Sequence, residues 1–317
     1  MFDKLMGLRA LEGTRNWMQQ HHPFNSKTTW YEFLKKMLQK IAENDTSERA
    51  ASVSYSLILA VFPTIIFLFT LIPYFPIPNL EEQIMGFFRR VLPGDTFSTV
   101  GTTIQDIISR PRGGVLSLGF LLALYSATSG LVALMNAFNS SHESEDRRGF
   151  FKVRGVAVGL TFTLAIALIL AILGLIVGGI VSDYLLRFGI LNNVVVVNLL
   201  AVGRYLTVFA VFVAAVSIIY RFGPDVNMKW TFVTPGSVAA SLLIVLTTLG
   251  FSYYVSNFGS YNKVYGSIGT LIALMIWINL IALLLILGFE MNVALYNLEG
   301  DKNPDMAQKT TNATPNT

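Results

Sequence analysis

Charge is scarce in this chain of 317 residues, because only 13% of them are Asp, Glu, Lys or Arg whereas 53% are hydrophobic. Soluble domains carry about 25% charged residues, so the ionic side chains here are too few to cover a water-soluble protein of this size. The mean hydropathy of +0.56 agrees with this reading. The composition therefore predicts an integral membrane protein.

Cysteine is absent and only three histidines occur. Without cysteine the chain has no disulfides, iron–sulfur clusters, thiolate metal sites or cysteine nucleophiles. His21, His22 and His142 lack partners at metal-ligand spacing within a span, and no GxSxG, P-loop or HExxH motif occurs. We therefore predict no catalytic residues, no metal and no cofactor, and a protein that is not an enzyme.

Long hydrophobic runs are the strongest positive signal. A helix of about 20 apolar residues crosses a hydrocarbon core of about 30 Å, and such runs cover residues 51–75, 113–138, 155–181, 197–220, 233–256 and 268–295. They are continuous rather than alternating, which favours helices over barrel strands. The predicted fold class is an all-α polytopic membrane protein with a six-helix transmembrane bundle.

Two segments outside these runs have helical periodicity. The connection 76–112 carries apolar residues at helical spacing on both sides of a Pro-Gly-Asp break, which predicts two short amphipathic helices in the first outer loop. Residues 30–41 predict an amphipathic N-terminal helix, either on an anionic membrane surface or packed on the rest of the protein. The chain then divides into an N-terminal segment 1–47, a membrane domain 48–297 and a disordered tail 298–317.

Lysine and arginine are distributed unequally between the two sides. The N-terminal 50 residues, the loops 139–154 and 221–232 and the tail hold 16 of them, and the alternate loops hold six. The positive-inside rule places the richer segments, with both termini, in the cytoplasm. Acidic residues nearly balance the basic ones there, so the basic character reflects membrane orientation rather than nucleic-acid binding. Membrane lipids are the expected partners, and no nucleic acid is expected.

Two ionisable residues lie in or at the edge of spans, where charge is costly and suggests a function by default. Arg204, in the outer half of the fourth span, should snorkel to the headgroups or bond loop carbonyls. Glu290, near the inner end of the sixth span, either bonds a neighbouring helix or lines a cavity. Asn279 lies eleven residues before Glu290 and so shares its face at a distance of about 16 Å. A direct pair between Arg204 and Glu290 is not expected.

Uncharged polar and special residues offer further candidates. Along the second span one helical stripe carries Ser126, Ser129, Ala133, Asn136 and Ser140, with Asn139 close by. This stripe either forms interhelical hydrogen bonds or lines a polar path. In the first span Pro63 should kink the helix near Tyr55 and Ser56, with or without a role in shaping a cavity. Tyr265 belongs to a cluster of tyrosines that reads as an outer aromatic belt.

Four stretches of the sequence resemble the YihY/BrkB family of bacterial inner-membrane proteins. They are ERAASVSYSLILAVFP (48–63), LYSATSGLVALMNAFN (124–139), RFGPDVNMKWTFVTPGSVAA (221–240) and residues 251–292, which contain YGSIG and GFEMN. The resemblance covers about residues 45–297. It implies a six-span fold in the inner membrane with cytoplasmic termini, and no established catalytic residues. The family's former label, ribonuclease BN, is regarded as mistaken, and transport of a lipid or other envelope component has been suggested for it.

The residues and the resemblance together predict a transporter-like protein that moves or handles a lipid or another amphipathic envelope cargo. The alternative is a non-transporting membrane scaffold or envelope-assembly factor, in which the polar groups only lock the bundle. The resemblance adds Asn292, among other motif positions, to the candidates. The predicted cavity or transport residues are Tyr55, Ser56, Pro63, Ser129, Asn136, Asn139, Arg204, Tyr265, Asn279, Glu290 and Asn292.

Overall fold

The structure is a computed structural model, which describes residues 12–21, 29–32, 35, 46–76, 78–91, 94–141, 146–187, 194–226, 231–257 and 259–300. These residues form helices and turns, and none of them forms a strand. The helices are α1 (Glu12–Gln20), α2 (Thr46–Leu71), α3 (Leu80–Val91), α4 (Gly94–Ser109), α5 (Gly113–Ser141), α6 (Phe150–Arg187), α7 (Val194–Phe222), α8 (Pro235–Asn257) and α9 (Gly259–Gly300). The predicted all-α class is confirmed.

Six of these helices, α2 and α5 to α9, are long and apolar enough to cross a membrane. They close into a ring, since each packs on the next along the chain and α9 returns to α2. We call the end of the bundle where α2 begins and α5 finishes the Glu290 end. The opposite end, where α3 and α4 connect α2 to α5, is the hairpin end.

The hydrophobic core lies in the half of the bundle nearest the Glu290 end. Its centre is three aromatic rings from different helices: Phe138 stacks on Phe289 at 4.5 Å, and Tyr220 meets both edge-on at 5.5 and 5.7 Å. The Tyr220 hydroxyl donates to the backbone oxygen of Leu285 at 2.7 Å, which satisfies its one polar group. By contrast, the most hydrophobic window of α6 contains no buried residue, and this helix joins the core near its start, through Ala157 and Leu160.

The predicted pair of helices in the connection 76–112 is confirmed as α3 and α4. Phe88 of α3 meets Phe69 of α2 edge-on at 5.6 Å, so the pair packs on the end of α2. The guanidinium of Arg89 lies 5.4 Å from the ring centre of Phe97, which joins α3 to α4. These contacts hold α3 and α4 against each other and against α2.

Helices α6 and α9 extend past the predicted apolar runs at both ends, whereas α2 ends before the predicted residue 75 and α8 begins after the predicted residue 233. Helix α6 begins at Phe150, so Arg154, which the sequence assigned to a loop, lies inside the helix; this assignment was wrong. A run of apolar residues in the sequence ends at the first charged residue. The helix itself continues past that residue as long as the charged side chain can reach a polar partner. Of the predicted N-terminal helix 30–41 the structure describes residues 30–32, which are helical, and Lys35. The tail from 301 onwards lies outside the described residues.

Candidate functional site

Glu290 lies at the centre of a polar network that joins α9 to α2 and α5. Its side chain is 2% exposed. The Oε1 atom accepts hydrogen bonds from Thr46 Oγ1 and Ser141 Oγ, both at 3.2 Å. Arg49 Nη1 lies 3.8 Å from the same oxygen and donates to Ser141 Oγ at 3.1 Å. The network therefore supplies the carboxylate with both a counter-charge and donors, which a buried charge requires.

The partners of Glu290 were not identified from the sequence. Thr46 and Arg49 lie one turn apart at the start of α2, and Ser141 is the last residue of α5. All three lie just outside the apolar runs, where polar residues are common and therefore do not indicate a site. One available signal was the ERAAS run of residues 48–52, in which a charged pair precedes a string of small residues.

A second polar contact lies further along the same two helices. Asn279 Nδ2 donates to Ser54 Oγ at 3.3 Å, and the Ser54 hydroxyl donates to the backbone oxygen of Ala51 at 2.9 Å. Asn279 and Glu290 thus both face α2, as their spacing on α9 predicts. This face of α9 joins the two helices at two levels, with one hydrogen bond and one charged network.

Asn139 and Asn292 fasten helix ends to neighbouring backbone. Asn139 Oδ1 accepts from the backbone N–H of Asp225 at 2.8 Å, after α7. Asn292 Oδ1 accepts from the backbone N–H of Gly236 at 2.8 Å, and its Nδ2 donates to Thr234 Oγ1 at 2.8 Å. Both asparagines are buried. They satisfy backbone groups at helix ends that would otherwise lie buried without a partner.

An ion pair in the α5–α6 connection lies beside this site. Arg148 Nη2 is 2.6 Å from Asp146 Oδ2, and the two side chains are 8% and 13% exposed. Arg148 Nη2 also donates to the backbone oxygen of Gly223 at 2.7 Å, and Asp146 Oδ2 accepts from Asn139 Nδ2 at 3.1 Å. The hydrogen bond from Arg148 holds the pKa of Asp146 below its usual value despite partial burial, and the same bond raises the pKa of Arg148.

The polar stripe of α5 is divided between two environments. Arg154 Nη1 donates to Thr128 Oγ1 at 3.0 Å and to Ser129 Oγ at 3.1 Å, and its guanidinium lies 4.5 Å from the ring centre of Tyr125. Asn136, in contrast, is exposed. Ser129 therefore serves an interhelical hydrogen bond, one of the two readings left open, whereas the exposed Asn136 is not covered by a neighbouring helix.

The candidates near the proline of α2 do not join the Glu290 network. Tyr55 is 64% exposed on the outside of the bundle, and the Ser56 hydroxyl donates to the backbone oxygen of Ser52 in its own helix at 3.1 Å. Pro63 lies within α2, which continues to Leu71. For Tyr265, the helix α9 is described but the side chain lies outside the described set.

Arg204 lies at the opposite end of the bundle, in a cleft of about 350 Å³ between α6 and α7. Its guanidinium lies 5.0 Å from the ring centre of Tyr205, and Nη2 is 3.4 Å from the Tyr205 hydroxyl. Among the described residues no contact joins Arg204 to Glu290, whose partners Thr46, Arg49 and Ser141 lie at the other end, as the sequence predicts. Glycines on α6 leave space for the Arg204 side chain, since a Cβ on Gly178 would stand 2.7 Å from Arg204 Cδ.

The structure thus gathers Asn139, Asn279, Glu290 and Asn292 toward one end, and leaves Tyr55, Asn136 and Arg204 apart from them. Within the described ranges, no three His, Asp or Glu side chains are placed to hold a metal ion. The chemistry available at the Glu290 end is hydrogen bonding and charge compensation. At the Arg204 cleft it is the positive charge of a guanidinium beside open space.

Comparison with known proteins now identifies the family. The family model described as Virulence factor BrkB matches residues 37–312. The chain belongs to the BrkB family. The resemblance drawn from its sequence motifs is therefore confirmed.

Individual relatives of this BrkB-family protein support the assignment. A ribonuclease-like protein of Bacillus subtilis, YfkH, is 31% identical over 278 residues, covering 86% of this chain and 98% of that protein. A UPF0761 membrane protein of Psychrobacter is 25% identical, covering 84% of this chain and 49% of that protein. Another, from Pseudoalteromonas atlantica, is 24% identical and covers 84% of this chain and 90% of that protein. Comparison with solved structures gives no significant match.

Proposed function

We propose that this BrkB-family membrane protein is transporter-like and handles a lipid or another amphipathic component of the bacterial envelope. In this proposal it lies in the inner membrane, with the Glu290 end and both termini facing the cytoplasm. The observation that supports the proposal is the unequal packing of the two ends of the bundle. The contiguous core lies near the Glu290 end, and the described cleft lies toward the hairpin end.

Unequal packing suits an amphipathic cargo for a physical reason. At the Glu290 end six helices enclose aromatic rings and a network of hydrogen-bonded polar groups, so passage there requires rearrangement. Around the cleft, large apolar side chains such as Ile180 and Leu206 are 63% and 64% exposed and face the lipid. A lipid could enter from the side, with its headgroup in the cleft and its acyl chains along these side chains. Alternating access requires one end of the bundle to be closed while the other is open, and in this proposal the Glu290 end is closed and the hairpin end is open.

The test is movement of a labelled phospholipid across the bilayer of reconstituted liposomes. Fluorescent phospholipid in the inner leaflet is protected from a membrane-impermeant quencher, and the protein should speed the loss of that protection relative to protein-free liposomes.

Because the chain has no cysteine, introduced cysteine pairs react without competition. Gly174→Cys with Val208→Cys places a pair across the α6–α7 cleft, since a Cβ on Gly174 would stand 3.9 Å from Val208 Cγ2.

A matched control locks helices that pack along their length. Phe67→Cys with Gly119→Cys joins α2 to α5, because a Cβ on Gly119 would stand 3.8 Å from Phe67 Cβ, close to the usual Cβ separation in a disulfide. Cross-linking α6 to α7 with a short bifunctional thiol reagent should slow lipid movement, and locking α2 to α5 should not. The proposal fails if the wild type moves no phospholipid, or if both locks act equally.

A second candidate, a non-transporting scaffold, is favoured by one observation. The described polar groups at the Glu290 end bond one another, which is what a bundle locked for rigidity needs. In a scaffold, Glu290→Gln should lower stability, whereas disrupting α3 and α4 should abolish function in cells through loss of a stoichiometric partner. An affinity pull-down that recovers no such partner would argue against it.

The name of the Bacillus relative makes RNA cleavage the enzymatic alternative to be tested. We propose that the present protein has no such activity, since three of the basic side chains near the Glu290 end, Arg49, Arg148 and Arg154, are engaged in contacts within the chain. Rigorously purified protein should leave a labelled RNA intact. Cleavage that disappears when one named residue is substituted would overturn this part of the proposal.

A further inference from the structure

The Arg204 cleft contains a cation for which the described side chains supply no carboxylate partner. Arg204 lies four residues into the candidate span Leu200–Phe222. Its guanidinium has five N–H donors, and one long contact, to the Tyr205 hydroxyl at 3.4 Å, is made within the described residues. Its Nε atom is buried and has no hydrogen-bond partner there. No described carboxylate lies within 4.0 Å of the group.

A cation without a described counter-charge at this position carries a free-energy cost. A charged side chain within a span costs several kcal/mol unless it is paired or reaches water. The aromatic face of Tyr205 offsets part of this cost, with the guanidinium 5.0 Å from the ring centre. The remaining donors are available to an anion that enters the cleft.

The shape of the cleft is set by glycines on the facing helix. A Cβ on Gly178 would stand 2.7 Å from Arg204 Cδ, and one on Gly179 would stand 3.5 Å from Arg204 Nη1. Larger residues on α6 would therefore displace the arginine. The Ser182 and Thr207 side chains also line the cleft and add hydroxyl groups near the charge.

We propose that the Arg204 cleft binds the phosphate group of a phospholipid, with the acyl chains lying along the apolar surfaces of α6 and α7. Guanidinium and phosphate form paired, charge-assisted hydrogen bonds, and this is the anion chemistry that arginine favours. The surroundings select a lipid over free phosphate, because Val177, Val202 and Leu206 beside the cleft are each more than half exposed and offer acyl chains an apolar surface. The inference rests on the proposed function, since it names the group by which a lipid cargo would be held.

Binding is measured separately from movement, so failure of one does not imply failure of the other. Purified protein in non-ionic detergent is titrated with phosphatidylglycerol, with diacylglycerol of the same acyl chains, and with inorganic phosphate, and complexes are counted by native mass spectrometry. Phosphatidylglycerol should bind the wild type, and Arg204→Gln should weaken this binding at least about tenfold, because it removes charge-assisted hydrogen bonds. Diacylglycerol should bind wild type and variant alike, and inorganic phosphate should bind more weakly than the lipid.

Matched variants separate the cleft from general effects. Arg112→Gln removes an exposed arginine that is paired with Asp106 at the same end of the bundle, and it should bind phosphatidylglycerol like the wild type. Gly178→Leu should weaken binding while keeping the charge. Gly159→Leu, on the same helix with nothing within 4 Å of its Cβ position, should not. A thermal unfolding curve for each variant confirms that the bundle is intact.

Two results would overturn the inference. The first is equal phosphatidylglycerol binding by wild type and Arg204→Gln, which would show that the cleft does not hold the headgroup. The second is inorganic phosphate binding as tightly as phosphatidylglycerol and with the same dependence on Arg204, which would make the site one for a free anion. Lipid movement without Arg204-dependent binding would leave the proposed function standing and refute this inference alone.

Discussion

The Glu290 end and the Arg204 cleft each contain one charge that hydrophobicity would not place there, and the two charges are treated in opposite ways. Glu290 has an arginine, two hydroxyls and a closely packed core around it. Among the side chains that the structure describes, Arg204 contacts Tyr205 and borders an open cleft. A charge surrounded by partners on other helices holds those helices together, whereas a charge beside an open cleft is available to a ligand. The predictions below test this difference, from the largest expected effect to the smallest.

The close approach of α9 to α8 at the Glu290 end should tolerate little added volume. A Cβ on Gly288 would stand 2.5 Å from the Tyr220 hydroxyl and 2.6 Å from Ala240 Cβ. We expect Gly288→Val to destabilise the bundle by about 3 kcal/mol or to prevent folding. The yield of monodisperse protein in detergent and its unfolding by added dodecyl sulfate measure the effect. Gly159→Val, where nothing lies near the Cβ position, should behave like the wild type; equal losses would mean that packing is not tighter at this end.

Removing the carboxylate should cost somewhat less. Glu290→Leu leaves Arg49 without its counter-charge and Thr46 and Ser141 without a shared acceptor, so we expect a loss of about 2 kcal/mol in the free energy of unfolding. Glu290→Gln keeps an oxygen acceptor and should lose less. The dodecyl sulfate titration of both variants, with Arg204→Leu alongside, checks this ordering. If Arg204→Leu were the more damaging, the two charges would not differ as the structure indicates.

The Asp146–Arg148 pair predicts a pH dependence confined to acid. The pKa of Asp146 is lower in the folded protein, chiefly because Arg148 donates to it, so its contribution is complete above about pH 4, the ordinary range of an aspartate. It is lost as the pH falls through the lowered pKa. We expect Asp146→Asn to cost about 1 kcal/mol from pH 5 to 8, with the difference from wild type vanishing below pH 4. Thermal unfolding of both proteins across this range is the measurement, and a difference that grew at low pH would contradict the assignment.

The smallest effect should come from the exposed pair at the hairpin end. Arg112 Nη2 lies 2.7 Å from Asp106 Oδ1, but the side chains are 42% and 58% exposed. Solvent and salt screen such a pair, so Arg112→Gln should change the free energy of unfolding by less than about 0.5 kcal/mol. Parallel titrations at low and high salt check this. A loss as large as that of Asp146→Asn would show that this end is held more tightly than its exposure indicates.

Much of the architecture could be predicted because hydrophobic length is a local property. The six spans, the two helices of the connection 76–112 and the common face of Asn279 and Glu290 all follow from residue spacing along one helix. Boundaries were less accurate. Arg154 lies within α6 because its long side chain reaches Thr128 and Ser129 on α5, and a neighbouring helix cannot be seen in a local window.

The sequence named individual candidate residues but did not show which of them lie together in one site. Glu290, Asn139 and Asn292 were named as candidates, whereas Thr46, Arg49 and Ser141, the partners of Glu290, were not. Those partners lie on other helices, up to 244 positions away. Asn136 and Tyr55, chosen for a stripe and a kink, are on the surface, because a periodic pattern identifies a face without saying whether another helix covers it.

The sequence by itself determined that the chain is helical, has six runs long enough to cross a membrane and keeps two charges in or beside them. These properties depend on the free energy of moving each segment out of water, which is the sum of its own side chains. Only the tertiary structure decided that Glu290 is enclosed and that Arg204 borders a cleft. That decision depends on how closely helices approach, which is set by glycines such as Gly288 and Gly178 and by side chains far away in the sequence.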